Sequence, residues 1–123
     1  MIKYLVLSSG GLHSLLYQLG AIKKLIENNK INLNNIEKIY GTSAGAIVGL
    51  ILCLNIDIQI IIDYLIERPW DKIFDLDLNT IMNVYKELGV YDKKIYERAF
   101  KPIFKICKLD INITLKEFYE KTQ

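Results

Sequence analysis

The sequence predicts an α/β domain with a mainly parallel central sheet. Two short β-prone runs, Lys3 to Leu7 and Ile36 to Tyr40, are each followed by a glycine-containing turn. Between them, apolar residues recur at alternating steps of four and three, as in a helix with one buried face: Leu15, Leu19, Ile22 and Ile26. This pattern is a βαβ unit, which joins parallel strands. Both glycine turns are therefore expected side by side at the carboxyl edge of the sheet, where ligands bind in such folds.

Two helices are expected directly after the second turn. Residues 44–54 are apolar on every side, which predicts a helix buried in the middle of the domain. A helix over residues 57–66 is expected to end before Pro69, because proline disfavours helical geometry in the preceding residue.

The second half of the chain predicts three more helices. The first spans residues 79–89, with an Asn-Thr cap at its start and a glycine at its end. The next begins at Asp92 and is expected to kink near Pro102. The last begins after Thr114, because Thr114 and Glu117 have the T-x-x-E spacing of a capping box.

Composition and charge exclude several classes of protein. The 123 residues are 51% hydrophobic, which is enough for a core and excludes a disordered chain. The net charge is only +2 with both signs interspersed, so no broad basic surface for nucleic acid is expected. No residue cluster implies a metal or a nucleotide, and we expect neither a cofactor nor a metal.

Cysteine usage and apolar segments predict a cytoplasmic location. Cys53 and Cys107 lie in apolar surroundings, which predicts reduced core residues in a reducing compartment. The N-terminal apolar stretch is shorter than a signal-peptide core, and polar residues interrupt the long apolar region 44–66. Any contact with a membrane is therefore expected to be peripheral.

The sequence Gly41-Thr42-Ser43-Ala44-Gly45 carries the strongest chemical signal. It is a G-x-S-x-G motif between a strand and an apolar helix, the context that a nucleophile elbow requires. The small residues on either side let the strand and helix approach closely, so that Ser43 is exposed on a tight turn. Ser43 is thus predicted to be a nucleophile. The alternative is a glycine-bounded strand-to-helix turn without chemistry.

A second glycine turn, with the sequence SSGGLH, follows the first strand. An acyl-transfer enzyme needs backbone N–H donors directed at the oxyanion, and glycines leave those donors accessible. Gly10, Gly11 and Leu12 are the predicted donors. His13 could contact a substrate anion or lie on the loop surface. The alternative is a phosphate-binding loop, but neither G-x-G-x-x-G nor a P-loop is present.

The two motifs together resemble the patatin-like phospholipase family over roughly residues 4–54. GTSAGAIVGL is similar to the elbow and helix of that family, and LSSGGLH followed by YQLGAIKKLIE is similar to its oxyanion loop and first helix. The resemblance implies a three-layer α/β/α domain of which residues 1–123 form the N-terminal part. The loop departs from the family pattern, with Ser9 in place of the first glycine and His13 in place of the basic residue.

The resemblance implies a Ser-Asp dyad rather than a triad. His13 is the single histidine and precedes Ser43, whereas the triad of an α/β-hydrolase runs from serine to acid to histidine. The catalytic aspartate of the family is followed by glycine, and no aspartate here has that context. The acid is therefore expected beyond Gln123.

The resemblance implies a phospholipase A-type serine esterase that acts on membrane glycerolipids or other acyl esters. An isolated fragment of residues 1–123 is expected to be inactive, because it lacks the predicted acid. The alternative is a non-catalytic lipid-binding or regulatory fragment that keeps the elbow. An Asp-Gly motif downstream would favour the enzyme, and its absence would favour the alternative.

Overall fold

The computed structural model of the chain describes residues 2–74 and 93–122. The chain divides into two compact units, one formed by residues 1–67 with 119–123 and the other by residues 68–118. The first unit contains both strands and both predicted glycine turns. The helix predicted over residues 79–89 and the predicted start at Asp92 lie outside the described residues.

A parallel pair of strands organises the first unit. Strand β1 spans Tyr4–Leu7, helix α1 spans Gly11–Glu27, and strand β2 spans Lys38–Gly41, with a 3-10 turn at Leu33–Asn35 before it. Leu7 is paired in register with Gly41 at the carboxyl ends of the two strands. The predicted βαβ unit and α/β fold class are confirmed, with strand boundaries shifted by one or two residues.

Helices α2 (Ala44–Cys53) and α3 (Ile58–Glu67) complete this unit. Helix α2 contacts both strands and α1, and α3 contacts α1. Asp57 begins α3 by accepting a hydrogen bond from the Gln59 amide at 2.8 Å, so the predicted helix is confirmed. The most deeply buried side chains come from three helices and form one core: Leu19, Val48 and Ile61.

Two predictions about α2 are wrong. The helix is not buried on every side, because Ala46 and Cys53 are exposed. These residues are seven apart and therefore share one face of the helix, which is exposed to solvent. The prediction that Cys53 is a core residue is therefore also wrong. Cys107 is half-buried. The prediction that neither cysteine forms a disulfide is confirmed.

The two faces of the strand pair differ in their coverage. Leu5 and Leu7 are buried on the face that α2 covers. The opposite face carries Tyr4, Val6 and Tyr40, which are 54%, 82% and 55% exposed. Parallel sheets usually have both faces covered, so this apolar face is unusual.

The second unit is helical over its described residues. It contains α4 (Trp70–Ile73), α5 (Lys93–Ile106) and the start of α6 (Leu115–Thr122). The predicted capping box of α6 is confirmed: the Thr114 amide donates to Glu117 Oε2 at 2.9 Å, and the Glu117 amide donates to Thr114 Oγ1 at 3.2 Å.

Pro102 lies inside α5, which is helical on both sides of it. Proline has no amide N–H, so the carbonyl of Arg98, four residues earlier, loses its intrahelical donor. The Arg68 guanidinium donates to this oxygen at 2.7 Å and replaces the lost bond. Arg68 also lies over the Trp70 ring at 5.9 Å.

No helix within residues 2–74 and 93–122 is both long and apolar enough to cross a membrane.

Candidate active site

Ser43 occupies a strained backbone position between β2 and α2. Its φ and ψ angles are 52° and −118°, which non-glycine residues rarely adopt. Serine at the N-cap of a helix normally adopts extended geometry and bonds to a backbone amide of the first turn. The Ser43 side chain makes no such capping bond, and the residue is exposed. A capping role therefore does not explain why a serine occupies this position, and the hydroxyl does not bond to the first turn of the helix.

Two glycines make the tight turn at Ser43 sterically feasible. A Cβ atom on Gly41 would lie 2.5 Å from the Gly45 carbonyl oxygen and 2.6 Å from the Ala46 Cα. A Cβ atom on Gly45 would overlap the carbonyl oxygen of Leu7. Both glycines are thus required by close backbone approach, which is the reason the sequence analysis gave for the G-x-S-x-G pattern.

The carboxyl ends of the two strands bring the glycine turns together. The Thr42 amide donates to the Leu7 carbonyl at 3.1 Å, and Gly45 lies against the same carbonyl. The predicted oxyanion turn starts one residue after Leu7, and Ser43 follows Thr42 directly. The structure therefore places the two predicted turns at the same edge of the sheet, as the βαβ unit predicted.

Two of the predicted oxyanion donors, Gly11 and Leu12, lie in the first turn of α1 instead of in a loop. Residues 8–13 are predicted to form a loop, but the helix begins at Gly11, so Gly11, Leu12 and His13 belong to its first turn. The N-cap residue Gly10 provides no side-chain capping bond. Amide groups in the first turn of a helix lack intrahelical acceptors, so they point outward as potential anion donors.

Gly10 must be glycine for two reasons. Its φ angle is 150°, and a Cβ atom there would lie 2.7 Å from the Ser14 Cβ. Gly11 also has a positive φ, 68°, with no atom near the place of a Cβ. The glycines of this turn therefore serve backbone geometry, which is compatible with the predicted donor role.

The N-terminus of α2 offers a further potential oxyanion donor, the amide of Ala44, which the sequence predicts only as a structural part of the G-x-S-x-G motif. Ala44 is the first residue of α2 and follows Ser43 directly. In nucleophile elbows, the amide of the residue after the nucleophile forms part of the oxyanion hole. The N-terminal end of the helix dipole also favours negative charge at this place.

The described residues do not supply a base for Ser43. No hydrogen bond joins Ser43 to His13 or to a carboxylate within residues 2–74 and 93–122, and His13 is exposed. The same residues contain no cluster of His, Cys, Asp and Glu that could hold a metal ion. The predicted nucleophile and donors thus lie at one sheet edge, and none of the carboxylates that the structure describes is bonded to Ser43.

Sequence reasoning missed the side chains that hold the Ser8–Gly10 turn. Gln18 Nε2 donates to the Ser8 carbonyl at 2.9 Å and to Ser14 Oγ at 2.6 Å. Ser14 Oγ in turn lies 3.5 Å from the Ser9 carbonyl. The available signal was a pair of polar residues four apart in the first turns of α1, which places both on one face.

Comparison with known proteins identifies a family that covers most of the chain. The sequence profile described as patatin-like phospholipase matches residues 5–119. The chain belongs to the patatin-like phospholipase family. An uncharacterized protein of Acanthamoeba polyphaga mimivirus is 28% identical over 104 residues, which cover 85% of this chain and 34% of the viral protein. The patatin-like chain thus spans about a third of that relative's length. No solved structure matches significantly.

Proposed function

We propose that this patatin-like chain carries the nucleophile of a phospholipase A-type serine esterase. The observation that carries the proposal is the strained backbone of Ser43, combined with the absence of a capping bond from its side chain. Backbone strain persists where the surrounding structure enforces it, and it is common at active sites. An exposed hydroxyl on such a turn between a strand and a helix is suited to attack a carbonyl carbon.

The proposed reaction proceeds through an acyl-enzyme. Ser43 Oγ attacks the ester carbonyl carbon, its proton passes to a base, and the carbonyl electrons move onto oxygen. The amides of Gly10, Gly11, Leu12 and Ala44 stabilise that oxyanion. The carbon–oxygen bond of the ester then breaks, and the alcohol leaves with the proton. Water next attacks the acyl-enzyme, which releases the fatty acid and regenerates Ser43.

The base in this proposal is an aspartate that forms a dyad with Ser43 and lies beyond residue 123. A serine hydroxyl is a weak nucleophile without a base, whose assistance is worth about 100- to 10,000-fold. The catalytic aspartate of the family is followed by glycine, and no aspartate in residues 1–123 has that context, which supports this placement. His13, which is exposed near the predicted donors, is proposed only as a contact for a substrate anion.

We further propose that residues 1–123 are the N-terminal part of a larger three-layer domain. The uncovered sheet face at Tyr4, Val6 and Tyr40 supports this proposal, because a second helical layer would bury it. The viral relative supports it as well, because the matched residues cover only 34% of that protein. The substrates proposed are membrane glycerolipids or other acyl esters, reached by peripheral contact with the bilayer from a cytoplasmic location.

A second candidate function is non-catalytic lipid binding by a domain that retains the elbow. The observation that favours it is the lack of a hydrogen bond between Ser43 and any acid among the described residues. In that case the full-length protein binds lipid vesicles but hydrolyses no ester, and replacing Ser43 changes neither property.

The experiment that tests the enzyme proposal combines turnover with covalent labelling of Ser43. Full-length protein should hydrolyse a chromogenic acyl ester and react with a fluorophosphonate probe, and Ser43→Ala should abolish both. Tyr17→Phe removes an exposed hydroxyl from the outer face of α1 and is the matched control that should retain both. Unchanged turnover in a folded Ser43→Ala variant would show that Ser43 is not the nucleophile.

A further inference from the structure

Gln18 connects α1 to the predicted oxyanion turn. Its Nε2 atom donates to the carbonyl of Ser8 at 2.9 Å, and to Ser14 Oγ at 2.6 Å. A carbonyl oxygen can only accept hydrogen bonds, so the amide atom that faces Ser8 must be the nitrogen. Ser14 Oγ extends this arrangement with a longer contact of 3.5 Å to the Ser9 carbonyl. Two successive carbonyls of the turn are thus directed toward α1.

The planarity of the peptide bond converts these contacts into an orientation of the amide donors. In a trans peptide, the C=O and the N–H of the next residue point in opposite directions. No cis peptide bond occurs in the described chain. Holding the Ser8 and Ser9 carbonyls toward α1 therefore turns the amides of Ser9 and Gly10 away from it. Gly10 is one of the predicted oxyanion donors.

The turn has little other support for this orientation. Gly10 and Gly11 both have positive φ angles, and glycine restricts its own backbone less than any other residue. A donor in an oxyanion hole works only when it is held in place before the reaction. A side chain that fixes the turn from outside supplies the rigidity that the glycines lack.

A buried acceptor indicates that Gln18 is not placed for stability alone. Its Oε1 atom is inaccessible to solvent and has no hydrogen-bond partner among the described residues. Leaving a buried acceptor unpaired is unfavourable, and local costs of this kind concentrate at functional sites. An apolar side chain of similar length would avoid the cost but could not hold Ser8.

We propose that Gln18 is a positioning residue for the Gly10 amide: it holds the Ser8 carbonyl and bonds to Ser14 Oγ, which in turn contacts the Ser9 carbonyl. This inference rests on the esterase function proposed above. Gln18 does not touch the substrate in this proposal. It acts through the backbone, so its loss should affect stabilisation of the oxyanion more than binding of the ester.

The test compares Gln18→Glu with the unmodified full-length protein on an ester and on the matching thionoester. Glutamate has nearly the same shape, but it cannot donate to the Ser8 carbonyl when it is ionised. Sulfur accepts hydrogen bonds weakly, so hydrolysis of the thionoester depends little on the oxyanion donors. We expect kcat for the ester to fall by about 10- to 100-fold, with KM within about threefold and the thionoester rate little changed.

Two further variants keep the test decisive. Gln59→Glu makes the same chemical change on α3, where Gln59 contacts Lys23 and Asp63, and it should leave both rates unchanged. If Gln18→Glu fails to fold in a thermal melt, Ser14→Ala removes the contact to the Ser9 carbonyl, which orients the Gly10 amide, and should lower kcat for the ester in the same direction.

The outcomes separate this inference from the function on which it rests. An unchanged ester rate in Gln18→Glu, or equal losses on ester and thionoester, would overturn the positioning role while Ser43 labelling by the fluorophosphonate remains intact. If the probe does not label Ser43 in the unmodified protein, the esterase proposal fails first and the role of Gln18 fails with it.

Discussion

Gly45 lies directly against the carbonyl group of Leu7, so closely that a Cβ atom on Gly45 would overlap the Leu7 oxygen. The same oxygen accepts a hydrogen bond from the Thr42 amide at 3.1 Å. This contact joins the start of α2 to the end of β1. It therefore fixes the distance between the serine turn and the turn that follows β1, which is the relationship that the proposed active site requires.

Replacing Gly45 should destabilise the protein for this reason. Gly45→Ala forces the helix away from a backbone atom that cannot yield easily, and we expect a loss of about 1–3 kcal/mol in the free energy of unfolding. Gly20→Ala is the matched control, because no atom lies within 4 Å of the Cβ position at Gly20. That change should stabilise α1 by about 0.5–1 kcal/mol. Urea unfolding of both variants checks the prediction, and equal effects would contradict it.

Strain at Ser43 should be measurable apart from catalysis. Ser43→Gly removes the Cβ atom that disfavours a φ of 52°, whereas Ser43→Ala keeps it. We expect the glycine variant to be more stable than the alanine variant by about 1 kcal/mol, with both inactive. Thermal unfolding of the two variants measures this difference. Greater stability of the alanine variant would show that the backbone at Ser43 is not strained.

The interaction between Arg68 and the Arg98 carbonyl should depend on Pro102. Arg68→Met removes the donor that replaces the missing proline N–H and should cost about 1 kcal/mol. In a Pro102→Ala background, the alanine amide can bond to the Arg98 carbonyl, so the same Arg68 substitution should cost less. A double-mutant cycle of unfolding free energies measures the coupling. A coupling energy of zero would exclude this role for Arg68.

The exposed sheet face tests whether the domain continues. Val6 is 82% exposed, so Val6→Lys should leave the melting temperature of residues 1–123 nearly unchanged. In a longer protein whose second helical layer covers this face, the same change buries a charge and should lower the melting temperature substantially. Thermal melts of the two lengths, each with and without the substitution, decide between these outcomes. Equal small shifts at both lengths would mean that the face stays uncovered.

Cysteine reactivity follows from the corrected position of Cys53. Its side chain is exposed, yet partial burial of the thiol raises its pKa, and burial also raises the pKa of the Cys107 thiol. Only the thiolate reacts with alkylating agents, so both cysteines should react slowly at neutral pH. The alkylation rate should rise steadily from about pH 7 to about pH 10, as more of each thiol becomes thiolate. Because Cys53 is exposed, it should also react faster than a cysteine buried in the core. Fast alkylation at neutral pH would contradict the raised pKa.

Elements with local signals could be predicted from the amino-acid sequence. The βαβ unit follows from two β-prone runs and the 3.6-residue period of α1, and the capping box at Thr114 and Glu117 follows from a spacing of three. The G-x-S-x-G motif likewise implied close backbone approach, which the contacts of Gly41 and Gly45 bear out. In each case the residues that interact are neighbours in the chain or repeat with a fixed period.

Features that depend on contacts between distant residues became apparent only in the folded structure. The apolar run 44–54 could not reveal that Cys53 is exposed, because the burial of a helix face depends on what packs against it. The contact of Gln18 was hidden for a similar reason: its partner is a backbone carbonyl in a preceding turn, and every residue type has such a carbonyl. Residue types specify helices and turns, whereas the folded arrangement specifies which carbonyl lies within reach of which side chain.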